Sequence, residues 1–234
     1  MRNDEIDNIL ESVGRCCFLR AKTIRANNYR LKSIRHPYNA TYIMDKSLDS
    51  YSCKMPGNIK YAMFVHDSSI IGDKELYVII GQNPSYSFAH NVDGTNQNIY
   101  KALLKLGIHR YLLLNTFPII DSNGAKSENT LKTKTNIAIL KKLIKKFRKQ
   151  ISIKIVFACG NSLRVYSKSI KTLNRLIKKY KLESLAFEHN GIPQCHLSSQ
   201  ALRKNGATAQ TITLSQYRVT VCDSSIFSAV CFHK

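Results

Sequence analysis

Three short stretches carry side chains whose types and spacing could do chemistry. The segment GQNPSYSFAHNVDGT, residues 81–95, is a tight Gly-Gln-Asn-Pro turn behind an apolar run. It presents the carboxamide of Asn83, with Gln82 and Ser85 beside it and the rings of Tyr86 and Phe88 close behind. RYLLLN, residues 110–115, ends in Asn115, whose amide offers a donor and an acceptor. HNGIPQCHLSSQ carries His196, with His189 as a second imidazole in reserve, a group whose charge changes near neutral pH. Cys195 adjoins His196, but neighbouring side chains on an extended loop point apart, so a Cys–His nucleophile is not expected. Neither G-x-G-x-x-G nor a terminal Gly-Lys-Ser/Thr is present, which leaves dinucleotide and nucleoside triphosphate chemistry without its phosphate cradle.

These stretches need a scaffold, and the hydrophobic pattern supplies one. ELYVIIG (75–81), RYLLLN (110–115), IKIVFAC (153–159) and ESLAFEH (183–189) read as buried strands. Between them lie helical segments: NQNIYKALLKLG, stopped by Gly107; a stripe of Ile139, Leu140, Leu143, Ile144 and Phe147; and a third helix, capped by Asn161, with apolar residues from Leu163 to Tyr180. Strands alternating with helices favour parallel pairing through right-handed crossovers. The expected fold class is α/β, a three-layer α/β/α sandwich around a central four-stranded parallel sheet. Ligands then bind beyond the carboxyl ends of the strands, where Asn83, Asn115 and the His196 loop all fall. The tail from residue 207 is expected to add one or two strands.

GQNPS, LLLN, VFACG and CHLSS, in that order and at strand ends, resemble the motifs of the uracil-DNA glycosylase superfamily. Asn83, Pro84, Ser85, Asp93, Thr95, Gly191 and Pro193 are also similar to a bacterial domain family of unknown function marked by Asn-Pro-Ser-Thr and Gly-x-Pro-Arg-His-Pro. The likeness spans about residues 60 to 205. It implies a metal-free, monofunctional DNA N-glycosylase that flips a base out of the duplex and needs no cofactor. In that implication Asn83 positions a water and His196 hydrogen-bonds the leaving base. Phe88 or Tyr86 stacks on it, Asn115 reads its edge, and Gln82 and Ser85 line the pocket. Ser198, Ser199 and Leu202, with Asn161, Arg164 and Lys168, face DNA, and Leu197 and Leu202 are candidate wedges into the base stack.

The departures matter chemically. Asn83 stands where the uracil-specific branch has Asp, and a carboxamide cannot take a proton. Ser85 replaces the Tyr that blocks the pyrimidine C5 position, so the expected substrate is a uracil-like or 5-modified pyrimidine, as in an enzyme of antiviral defence against modified viral DNA. Cys-His-Leu replaces His-Pro in the last motif. The alternative function is a noncatalytic nucleic-acid-binding module on the same fold.

Charge agrees with a polyanionic partner. The 234 residues carry 36 Lys and Arg against 15 Asp and Glu, a net +21. Between residues 129 and 182 sixteen Lys and Arg occur with no acid, whereas the remainder is nearly balanced. Residues 1–60 read as a basic, Tyr-containing extension with a short amphipathic helix (Ile6, Ile9, Leu10, Val13), ahead of a glycosylase-like domain at 61–234. Seven cysteines without a C-x-x-C pair suggest reduced thiols, and the acidic amino terminus does not resemble a leader, so an intracellular, cytoplasmic monomer is expected. No stretch is long and apolar enough to span a bilayer.

Overall fold

The computed structural model describes residues 1–13, 16–21, 38–45, 59–67, 73–84, 94–119, 130–159, 165–193 and 197–234. In chain order its elements are helix α1 (Asn3–Ser12), strands β1 (Cys16–Ala21), β2 (Tyr38–Asp45), β3 (Lys60–Asp67) and β4 (Glu75–Gly81), and helix α2 (Gly94–Lys105). Strand β5 (Arg110–Asn115), helix α3 (Thr130–Phe147), strands β6 (Ser152–Ala158) and β7 (Val165–Tyr166), and helix α4 (Ser167–Tyr180) follow. The chain ends with strands β8 (Glu183–His189) and β9 (Ile192–Pro193), helix α5 (Ser199–Lys204), and strands β10 (Thr213–Gln216), β11 (Arg218–Val221), β12 (Phe227–Ser228) and β13 (Val230–His233).

The main sheet runs β1-β2-β3-β5-β4-β6-β8-β10, with β9 paired to β8. Its centre, β5-β4-β6-β8, is parallel throughout, the four-stranded parallel unit expected from the sequence. These strands are apolar because water reaches neither face: every residue of β5 is buried. Alternate side chains go to opposite sides. Val78, Ile80, Leu112, Leu114, Ile155 and Phe157 pack with Leu140, Leu143 and Phe147 of α3 and Leu173 of α4. Ile79, Tyr111, Leu113, Val156 and Phe187 pack with Tyr100 and Leu103 of α2 and Leu202 of α5. Helices therefore cover both faces. Gly107, at φ +73°, closes α2 as its spacing predicts, with Ile108 N donating to Leu103 O across the turn at 2.9 Å.

Several expectations need correction. The described parts of residues 1–60 join the main domain: Ile6, Ile9, Leu10 and Val13 lie in the main core, and β1, β2 and β3 extend the sheet by antiparallel pairing. Arg110, buried at the start of β5, donates to Met1 O at 2.7 Å and Asp73 O at 2.8 Å, tying the amino terminus to the sheet. Helix α4 starts at Ser167 with Tyr166 as its N-cap, so Asn161 does not cap it. The tail supplies four short strands instead of one or two. Cys222 and Cys231 form a disulfide across the tail's hairpin, contrary to the expectation of reduced thiols throughout, because the β11–β13 register brings them to a Cα separation of 5.7 Å. Among the described residues no helix is long and apolar enough to cross a membrane.

Candidate functional site

The site begins where β4 and β5 end. Their parallel register sets Gly81 beside Asn115 on one side and beside Ala158 of β6 on the other. The Asn115 carboxamide lies across Gly81: a Cβ at residue 81 would stand 2.5 Å from Asn115 Oδ1. Glycine at the strand end thus gives the amide its place, and Asn115 is buried, at 3% exposure.

The two loops that leave these strands are stitched together. Thr116 N donates to Gly81 O at 2.9 Å and Phe117 N to Gln82 O at 3.0 Å, and the Thr116 hydroxyl also donates to Gln82 O, at 2.7 Å. Asn83 follows directly, half-buried, its Nδ2 donating to Pro84 O at 3.3 Å. From the other side, the buried Asn136 of α3 donates to Asn115 O at 2.9 Å, and Ser169 of α4 donates to Thr116 O at 2.7 Å. Residues from both neighbouring helices therefore fix the backbone that presents Asn115. The sequence gives little sign of these helpers, although Asn136 stands as a polar residue one turn ahead of Ile139, Leu140 and Leu143 on the same helix face.

A third packing group supports the same corner. Phe117 meets Phe227 edge-on at 5.4 Å, and Tyr166 lies 5.6 Å from Phe227, so β12 of the carboxyl-terminal hairpin buttresses the loop after Asn115. Ser167 N donates to Ile226 O at 3.0 Å and its hydroxyl to Ser225 O, fastening that hairpin to the start of α4.

Leu197, ahead of α5, is tied to the helix that follows the Asn83 turn. Leu197 O accepts from Asn98 Nδ2 at 2.8 Å, and Asn98 sits in the first turns of α2, the helix that follows the Asn83 turn. His196 is the residue before Leu197 and lies outside the described residues, as do Ser85, Tyr86, Phe88, Asn161, Arg164 and Cys195. The reserve imidazole, His189, is engaged elsewhere, its Nδ1 3.3 Å from Thr211 O and its Nε2 3.2 Å from Asn190 Nδ2.

The expected DNA-facing residues divide. Lys168 is exposed on α4. Ser198 is the N-cap of α5, its hydroxyl accepting from Ala201 N at 3.2 Å, and Ser199 opens that helix. Leu197 and Leu202, expected as wedges, are 0% and 4% exposed in the core with Phe187. Burying them secures α5 against the sheet, and neither projects toward a partner.

Residues 69–196, more than half of the chain, match the family model described as "Protein of unknown function (DUF1643)". No curated protein matches. Among solved structures, the crystal structure of a candidate acetyl xylan esterase from Bacteroides fragilis aligns at 9% identity and a TM-score of 0.36, over 74% of this chain and 48% of that one. The chain thus spans about half the length of that protein, and a likeness at this level carries over neither fold nor activity.

Proposed function

The chain belongs to the DUF1643 family, a family of unknown function, and from its own residues we propose that it is a monofunctional DNA glycosylase acting on a uracil-like or 5-modified pyrimidine. The observation that carries this reading is the seating of the Asn115 carboxamide across Gly81, beside the Gln82-Asn83-Pro84 turn at the carboxyl ends of two parallel strands. A buried amide held by its backbone, with Asn83 two residues beyond the paired Gly81, is suited to reading the hydrogen-bonding edge of one flat base taken out of the stack. The finer assignment of the sandwich to the uracil-DNA glycosylase fold belongs to the same reading, supported by the order of the four motifs along the strand ends.

In this reaction the N-glycosidic bond breaks and its electron pair leaves with the base. Water adds to the sugar carbon, and the proton it releases ends on the base. Positive charge develops on the sugar and negative charge on the base, so the site must favour the anion and place the water. Asn83 orients the water without taking its proton. His196 donates toward the departing base. Asn115 donates and accepts along the base edge, and its two-sided amide suits either uracil or cytosine derivatives. Ser85, smaller than the tyrosine of uracil-specific relatives, leaves space at C5.

The test is base release from duplexes carrying uracil, mismatched thymine and 5-substituted pyrimidines. Wild type should liberate free base from at least one. Asn83→Ala and His196→Ala should reduce the rate by two orders of magnitude or more while sparing affinity, in line with the usual loss on removing one stabilising donor. Absence of release from every duplex, with binding intact, would favour the noncatalytic nucleic-acid-binding module, a reading supported by the Cys-His-Leu departure and the cationic helices.

A further inference from the structure

The basic run between residues 129 and 182 resolves into a geometry that composition alone does not give. At 100° per residue, the outward arc of α3 opposite Leu143 holds Lys134, Lys141 and Lys145, and Arg148 continues it just past the helix end. The outward arc of α4 opposite Leu173 holds Lys168, Lys171, Arg175 and Lys178. All eight are exposed. Within each row successive charges recur at intervals of three or four residues, about 5 Å along the axis, with one longer step between Lys134 and Lys141. The two helices pack against each other on one face of the sheet and lead into the parallel strands β6 and β8, so the rows run side by side roughly 10 Å apart. Arg148, 3.9 Å over the Tyr180 ring, bridges the far ends of the two helices.

This arrangement is unfavourable for the fold by itself. Like charges at i,i+3 and i,i+4 repel by a few tenths of a kcal/mol per pair, and no acid in either helix relieves them. Among the described residues no carboxylate lies within ion-pair distance of the six lysines; Asp223, whose pKa is lowered chiefly by bonds from Ser225, feels Lys171 only as a minor influence. The lysines facing the other way differ: Lys146 turns toward α1 and donates to the Ser12 hydroxyl at 2.6 Å.

We propose that the outward face of α3 and α4 is a docking surface for the phosphate backbone of duplex DNA, separate from the strand-end site. Six of the eight cations are lysines, point charges that neutralise phosphates without the planar fork that reads base edges. The outward arcs carry no aromatic residue on which unstacked bases could lie, and Tyr180 is covered by Arg148, which argues against single strands. They also carry no large apolar residue to enter a lipid surface. The surface extends away from the candidate site: Lys145, Arg148 and Lys178 stand at the helix ends that lead into the amino-terminal ends of β6 and β8. The face would hold a duplex by charge alone and let it slide.

The proposal takes DNA as its ligand from the glycosylase reading, and the experiment separates the two. Affinity for an undamaged duplex of about 25 base pairs is measured by fluorescence anisotropy between 50 and 300 mM salt. The variants are K141Q/K145Q, K171Q/K178Q and the quadruple combination, with the four Lys→Arg changes as a charge-preserving control. Each neutralised contact should remove about 0.9 from the slope of log K against log salt, so the doubles should lose nearly 2 and the quadruple between 3 and 4. At 0.1 M salt the quadruple should bind on the order of a thousandfold more weakly. The arginine variant should match wild type. Slopes unchanged in both doubles would overturn the proposal, as would tighter binding to duplex RNA or to phosphatidylserine vesicles than to duplex DNA. Reduced slopes in a protein that releases no base would sink the glycosylase and leave this surface standing. Base release with unchanged slopes would do the reverse.

Discussion

Gly81 is the residue on which the candidate site turns, because the place a side chain would occupy there is filled by Asn115. A methyl group 2.5 Å from Asn115 Oδ1 is closer than van der Waals contact allows, and the amide belongs to a residue held by Asn136 and Thr116. Gly81→Ala should therefore push the Asn115 side chain out of position. Base release should fall at least a hundredfold, while overpacking costs about 1–3 kcal/mol of stability. A rate and a melting temperature both equal to wild type would show that Asn115 does not need this seat. The amides themselves were legible in the sequence because each stands where an apolar run stops, at the end of a strand. The residues that fix them were not. Asn136, Thr116 and Ser169 act through backbone carbonyls 20 to 53 positions away, a relation that only the register of three elements creates. Leu197 and Leu202 show the converse: a leucine after a polar loop suits a wedge or a core equally, and only packing decides.

At the scale of elements, the strands buried on both faces were the most readable. The run LYVII has no other economical place than the middle of a parallel sheet, and β4, β5 and β8 begin and end where the sequence suggests. Strand β3 leaves no comparable signal, because it pairs antiparallel with β2 and β5 and belongs to no β–helix–β unit. Asn161 looks like the N-cap of α4, whereas two residues of β7 pair with β12 before the helix begins. That pairing makes the carboxyl-terminal hairpin part of the site's support, and the Cys222–Cys231 bond closes the ten-residue loop that carries Phe227. Closing a loop of this length removes chain entropy worth about 2–3 kcal/mol. A reductant should thus lower the melting temperature of wild type by about 5–10 °C, on the usual scale for a chain of this size. Cys222→Ser should start from the lower value and ignore the reductant. Equal melting curves for wild type with and without reductant would show that the loop is held by Phe227 packing and the Ser167 bonds alone.

The whole molecule carries +21 with only 15 acids, so each engaged carboxylate matters more than in a balanced protein. Composition announced the excess but not how the few acids are spent. Glu188 accepts from the Tyr217 hydroxyl at 2.6 Å and pairs with Lys234 at 3.1 Å, joining β8 to the last strands of the chain. The bond from Tyr217 holds the Glu188 carboxyl below its ordinary range against the opposing effect of burial, and the bond and charge of Lys234 add to the lowering. Lys154 bridges Glu75 and Glu183 from the neighbouring strands, and the bond to Glu75 raises its pKa. The two shifts act at opposite ends of the pH scale. For Glu188 the folded state prefers the ionised form, so its contribution is complete above the ordinary glutamate value of about 4.3 and is lost as pH falls through the lowered one. For Lys154 the folded state prefers the protonated form, so its contribution is complete below the ordinary lysine value of about 10.4 and is lost only above it. Both partners of Lys154 are about one-third exposed, at 36%, which screens that cluster and leaves Glu188, at 13%, as the stronger determinant. Glu188→Gln should therefore lower stability at pH 7 by about 1–2 kcal/mol, the lower part of the usual range for a hydrogen bond to a charged group because the partner Lys234 is exposed. The deficit should shrink as pH drops from 5 toward 3, because wild type loses there what the variant already lacks. Urea unfolding at half-unit pH steps reads this directly, and a deficit that stayed constant down to pH 3 would mean that Glu188 contributes by packing instead of charge.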